Sequence, residues 1–134
     1  MATYGTLPEA GLVDTLKEGQ RLTVVGYGAS GFDRGSGPLP RAVYPDDRHR
    51  GTVRLLNTKD PAVGDMFIKT TGVSLIKREG GGTCSGDSGG PLFVADQQTI
   101  AGVTSFGVRR WCSGPEYFQR MDLPRVLAWV RSFV

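Results

Sequence analysis

The chain has 134 residues and a mass of 14.4 kDa, which gives room for one domain with a modest core. Hydrophobic residues at 39% and charged residues at 22% describe an ordinary globular protein and exclude a disordered or fibrous one. The net charge of +3 is small, the basic residues are scattered without interleaved aromatics, and no apolar run reaches membrane-span length, so neither nucleic-acid nor membrane partners are expected.

In chain order, residues 1–20 read as a linker with at most one short turn, and their first ten lack the basic and apolar regions of a secretory signal. A first strand is predicted over 21–25, where Leu22-Thr23-Val24-Val25 forms a largely β-branched run that stops at Gly26. Residues 26–50, rich in Gly, Pro and Asp, are expected to be a long loop. Five further strands follow at 51–58, 66–71, 91–95, 99–107 and 116–121, with turn signals at Lys59-Asp60-Pro61 and Asp96-Gln97-Gln98. Twenty glycines and eight prolines fit that many tight turns. Six short strands without helical crossovers imply an all-β antiparallel barrel or sandwich. The tail changes period: Val126, Trp129, Val130 and Phe133 fall at i, i+3, i+4 and i+7, one face of a helix over 122–134. Asp122 is its expected N-cap, and Pro124 sits in the first turn where proline is tolerated.

One motif misleads. Gly26-Tyr27-Gly28-Ala29-Ser30-Gly31 matches G-x-G-x-x-G after a strand, with Asp46 about twenty residues on, the pattern of a dinucleotide site. That site needs a helix next, to hold the pyrophosphate at its N-terminus. Phe32-Asp33-Arg34-Gly35-Ser36-Gly37-Pro38 cannot supply one, so a glycine-rich turn and no cofactor are expected. No acidic loop suggests a metal. Cys84 and Cys112 are the two cysteines, enough for a single bridge in an oxidising compartment.

The informative stretch is Gly80-Gly81-Gly82-Thr83-Cys84-Ser85-Gly86-Asp87-Ser88-Gly89-Gly90-Pro91-Leu92-Phe93. It places a serine between glycines in a tight loop that opens onto a strand. Glycines let backbone N–H groups turn toward one point, which is how an oxyanion hole is built. A serine beside such donors is a candidate nucleophile if a base takes its proton. On the residues alone, a plain glycine-rich turn is the better reading.

Cys84-Ser85-Gly86-Asp87-Ser88-Gly89-Gly90-Pro91 resembles, without a gap, the nucleophile signature of the trypsin/chymotrypsin-like serine peptidases. The similarity extends along the chain. The segment from Leu7-Pro8 to Leu16 resembles the linker between that family's two barrels, and Leu22-Thr23-Val24-Val25-Gly26-Tyr27-Gly28 its first second-barrel strand. Ala101-Gly102-Val103-Thr104-Ser105-Phe106-Gly107 resembles the strand that binds substrate backbone, and Met121-Asp122 through Val130 the closing helix. The resemblance implies a six-stranded Greek-key barrel, residues 21–134, corresponding to the C-terminal half of the family's two-barrel fold. It implies Ser88 as the acyl-forming nucleophile, the N–H groups of Gly86 and Ser88 as the oxyanion hole, and Asp87 as a carboxylate that locks the loop. It implies a disulfide between Cys84 and Cys112 and a specificity pocket from Gly82, Thr83, Ser105, Phe106, Gly107 and Glu116. Gly82 stands where the family keeps its pocket-floor residue. Glu116 stands on the pocket wall, where it either enters the pocket to meet a basic or aromatic side chain or points to solvent.

The same resemblance implies a serine endopeptidase of protein or peptide substrates, secreted, whose catalytic histidine and aspartate lie on a first barrel. The one histidine here, His49, stands in the charged stretch Asp46-Asp47-Arg48-His49-Arg50 and reads as a solvated loop residue, not a base for Ser88. The half-fold is therefore expected to be inactive alone. With no amino terminus to pair with, Asp87 is expected to swing out and the oxyanion hole to collapse. A non-catalytic homologue that uses the barrel as a protein-binding module, and an inert truncated product, are the alternatives.

Overall fold

The computed structural model describes residues 4–73, 81–95 and 97–134. Gly80 of the glycine run and Asp96 of the third turn signal lie outside the described residues.

Six strands close into an antiparallel barrel: β1 (Arg21–Gly26), β4 (His49–Asn57), β5 (Phe67–Thr70), β6 (Pro91–Val94), β7 (Ile100–Gly107) and β8 (Glu116–Arg120). Their order around the barrel is β1-β4-β5-β8-β7-β6, with β6 pairing back onto β1. β6, β7 and β8 follow one another as antiparallel neighbours, and β8 returns to lie beside β5, which is a Greek key. Alternating burial along β1, β4, β5 and β6 drives closure. Leu22 and Val24 of β1, Val53 and Leu55 of β4, Ile68 of β5, Leu92 and Val94 of β6, Ala101 of β7 and Phe118 of β8 all point inward. Each large apolar side chain so buried contributes about 1.5–3 kcal/mol before entropy is subtracted.

Residues 26–50 are not one loop. They contain a hairpin of β2 (Gly31–Asp33) and β3 (Arg41–Val43), paired through Gly31 and Val43, Phe32 and Ala42, Asp33 and Arg41. Strands of three residues are too short to carry a period, so glycine and proline dominate the local signal. The hairpin is anchored by Phe32, whose ring meets Trp111 edge-on at 5.0 Å.

The early segment is laid onto the barrel. Thr6 bridges Thr99, a 3-10 turn forms at Leu12–Thr15, and Val13 is fully buried in the core. The fastening point is Asp122. Its carboxylate accepts the Val13 N–H at 2.8 Å and the Arg120 guanidinium at 2.9 and 2.8 Å, while Arg120 also reaches Asp14 at 3.1 and 3.0 Å. Asp122 is therefore not the helix cap. The helix α1 (Pro124–Arg131) starts after Leu123, with Pro124 in its first turn, and stops short of residue 134. An arginine two residues upstream outbids the helix amides because it offers two charge-assisted bonds at once. Leu127 is the buried residue of α1, whereas Trp129 and Phe133 of the expected apolar face are exposed and meet edge-on at 5.1 Å. No helix among the described residues is long and apolar enough to cross a membrane.

Candidate active site

Residues 81–90 fold into a loop held from both sides. The Asp87 N–H donates to the Cys84 carbonyl at 3.0 Å and the Gly90 N–H to the Asp87 carbonyl at 2.8 Å, which closes two successive turns. Gly89 N–H donates to the Thr104 carbonyl at 3.0 Å and Thr104 N–H to the Gly90 carbonyl at 2.9 Å, which ties the loop to β7. Gly86 has φ of +98°, a conformation that side chains resist, and an added Cβ there would press on Gly28 Cα at 3.2 Å. Ser88 is exposed at the loop's crest. Among the described residues, neither the Gly86 nor the Ser88 N–H has an acceptor.

Asp87 does not swing out. Its Oδ1 accepts the Gly28 N–H at 2.8 Å and its Oδ2 accepts the Cys84 N–H at 2.9 Å. Two amide donors to a carboxylate take the place of an absent cation, and half-burial leaves part of the charge hydrated. The expectation of an unpaired carboxylate counted cations and overlooked backbone amides. This also explains the misleading glycine motif. A Cβ on Gly26 or on Gly28 would collide with the Asp87 carboxyl group, so those glycines form its cradle.

Cys84 and Cys112 form a disulfide with a Cα–Cα distance of 5.1 Å, joining the serine loop to the 108–114 segment. That segment carries Trp111 and Cys112 at φ of +61° and +53°, two consecutive left-handed residues without a glycine. Beside it, Thr83, Ser88, Ser105, Phe106, Gly107 and Glu116 line a pocket of about 210 Å³. A register shift between Thr104 and Phe106 sets Ser105 as an extra residue opposite β8, the kind of bulge that re-aims a side chain at a pocket mouth. Phe106 stacks on Tyr117 with centroids 4.7 Å apart.

Glu116 enters the pocket and does not face solvent. Its side chain is 4% exposed, and Oε1 accepts the Thr83 N–H at 2.8 Å. Oε2 is buried and has no partner among the described residues. Burial pushes the carboxyl up to about 7, against the Thr83 amide and hydroxyl that favour its charge, and the nearby Asp87 adds to the rise. Gly82 does not line this pocket but makes room for it, because a Cβ there would lie 2.7 Å from Glu116 Oε1.

His49 is exposed at the start of β4, opposite Gly26, and lines a second, larger cavity of about 1000 Å³ with Asp87 and Trp111. The structure does not bring it into the pocket that holds Ser88. Among the described residues no group of His, Cys, Asp and Glu could hold a metal ion. The tight approach of Gly26 and Gly28 to Asp87 was not singled out by sequence reasoning. The two glycines lie 59 or more residues from their partner, so their only sequence sign was an unexplained G-x-G.

The family model for trypsin matches residues 3–130. The chain belongs to the trypsin family. Among the curated proteins, serine protease 1 of Drosophila melanogaster is 44% identical over 60 residues, covering 42% of this chain and 22% of that protein. A thrombin-like enzyme of Bothrops jararacussu is 32% identical over 84 residues, covering 61% of this chain and 35% of that protein. Among solved structures, a mutant of human heparin binding protein is 25% identical with a TM-score of 0.70, covering 97% of this chain and 49% of that one. An inactivated protease paralogue of the scabies mite, 19% identical with a TM-score of 0.61, shares the fold over 96% of this chain and 51% of its own. This trypsin-family chain thus spans about half the length of those structures and about a third or less of the curated relatives it matches.

Proposed function

We propose that this chain is the C-terminal barrel, residues 21–134, of a serine endopeptidase, with residues 1–20 leading from a first barrel that carries the catalytic His and Asp. Ser88 attacks the scissile carbonyl as a base takes its proton, the C–N bond breaks as that base returns the proton to the leaving amine, and water hydrolyses the resulting acyl-enzyme to free Ser88. The developing oxyanion is received by the N–H groups of Gly86 and Ser88, and Asp87 holds the loop that presents them. Thr83, Ser105, Phe106, Gly107 and Glu116 receive the substrate side chain, with Gly82 behind them. The observation that carries this reading is an exposed Ser88 in a loop whose Gly86 and Ser88 N–H groups have no acceptor among the described residues, next to a side-chain-sized pocket. The disulfide fits an oxidising, extracellular compartment.

A non-catalytic binding module is the second reading, favoured by the position of His49, the chain's one histidine, in a different cavity from Ser88. The protein isolated from its source decides between them. A mass well above 14.4 kDa and stoichiometric phosphonate labelling of Ser88, abolished by Ser88→Ala, is the expected result. A free-standing chain that captures a protein partner and resists labelling would establish the binding module instead.

A further inference from the structure

The larger cavity, of about 1000 Å³, is lined by neither Ser88 nor Glu116. Its walls come from the end of β1, the β2–β3 hairpin and the 108–114 segment. Volumes of roughly 300–1,000 Å³ are those of small-molecule sites. Two aromatic side chains meet in it. Phe32 and Trp111 lie edge-on, with centroids 5.0 Å apart and ring planes at 78°. Rings at such an angle form a corner, in which a third flat ring stacks on one wall and turns its edge to the other. Trp111 reaches that corner on a strained backbone. Its φ is +61° and that of Cys112 is +53°, a region that residues with bulky side chains avoid. Such strain persists where the surrounding structure enforces it, and ligand clamps are one such place. Core burial does not account for the placement, because Trp111 is 39% exposed.

Charge is divided along the cavity. Among the described residues, its ionisable side chains are Arg34, His49, Arg50 and Asp87, so two guanidinium groups face one carboxylate. Asp87 commits its two oxygens to the Gly28 and Cys84 amides. The hairpin is rooted beside it, where the Ala29 N–H donates to the Ser85 carbonyl at 2.9 Å. From there β2 runs through Gly31–Asp33, so Arg34 stands roughly 10 Å past Gly31 along the strand. Arg34 is exposed at the cavity and forms no ion pair with any described residue. The adjacent carboxylate of Asp33 is turned instead to the Gly35 N–H, at 3.1 Å.

We propose that this cavity binds a small planar aromatic acid, with its ring in the corner of Phe32 and Trp111 and its carboxylate on the Arg34 guanidinium. A carboxylate meets the guanidinium fork with two parallel charge-assisted bonds, which a neutral amide cannot reproduce. An aliphatic acid offers no ring to the corner, and an aromatic amine brings a like charge toward the arginines. The site uses neither Ser88 nor a base from a first barrel. It therefore holds whether the chain is half of a peptidase or a binding module.

The test titrates indole-3-propionate and its neutral counterpart indole-3-propionamide into the full chain by calorimetry at neutral pH. The acid is expected to bind about tenfold or more tightly than the amide. Arg34→Gln, on an exposed loop, is expected to bring the two probes to parity. Trp111→Gly keeps the left-handed backbone without strain and removes one wall of the corner, so both probes should weaken about tenfold or more. If Trp111→Gly does not fold, the acid–amide comparison on the unaltered chain and on Arg34→Gln decides alone. An acid that binds no tighter than the amide overturns the proposal. So does a preference for the acid that survives Arg34→Gln, or full affinity for the acid in folded Trp111→Gly.

Discussion

Gly28→Ala probes the cradle of Asp87 directly. The added methyl would occupy the position of the carboxyl group, so Asp87 must leave and surrender its bonds to the Gly28 N–H at 2.8 Å and the Cys84 N–H at 2.9 Å. Hydrogen bonds to a charged group contribute about 1.5–3 kcal/mol each, which sets an upper range of about 3–6 kcal/mol. Asp87 is only half-buried, so water recovers part of that on expulsion, and the expected loss is about 2–4 kcal/mol. For a domain of this size the melting temperature should fall by roughly 10 °C. Urea unfolding followed by tryptophan fluorescence gives the free-energy change, with Gly31→Ala as the control. A Cβ at Gly31 meets nothing within 4 Å, so that variant should stay within about 0.5 kcal/mol of the parent. If Gly28→Ala is no more destabilised than Gly31→Ala, the cradle argument is wrong.

Three further outcomes are expected. Asp122→Ala removes a fully buried carboxylate and leaves Arg120, itself 2% exposed, with the half-exposed Asp14 and the Asp65 carbonyl; a loss of about 3 kcal/mol in urea is expected. Glu116 has a folded-state pKa near 7, above its unfolded value of 4.5, so it binds its proton more tightly when folded. Its effect is therefore to lower stability as pH rises from about 4.5 to 7, by a few kcal/mol, and Glu116→Gln should flatten that slope in melts across this window; parallel curves would contradict it. Replacing both Cys84 and Cys112 with serine opens a cross-link of sequence separation 28, for which chain entropy predicts a loss of about 3–4 kcal/mol, measurable by the shift of the urea midpoint.

The barrel was legible because turn signals bound its six short strands, four of which alternate in burial, and each was placed within about two residues of its observed ends. The serine loop was legible through an unbroken local motif, and the cystine through the same resemblance. What escaped were features set by partners far along the chain. Asp122 looked like a cap because its local neighbours fit one, yet its partners are Arg120 and the Val13 amide, the latter 109 residues away. The β2–β3 hairpin escaped because its three-residue strands carry no period and Phe32 finds its ring partner, Trp111, far along the chain. Glu116 was undecided between pocket and solvent because its choice depends on the room left by Gly82 and Gly72, which no pattern within β8 reveals.

The strap over the barrel has a kinetic consequence. Val13 to Asp122 and Asp14 to Arg120 join residues 109 and 106 apart, and Thr6 to Gln98 spans 92. A chain emerging from the ribosome cannot make the first two contacts until Arg120 and Asp122 have left the exit tunnel. Closing such long loops costs entropy before any contact returns it, which places this fold among the slow, high-contact-order topologies. Val13, although it precedes every barrel strand in the chain, has to wait for Asp122 to find its place.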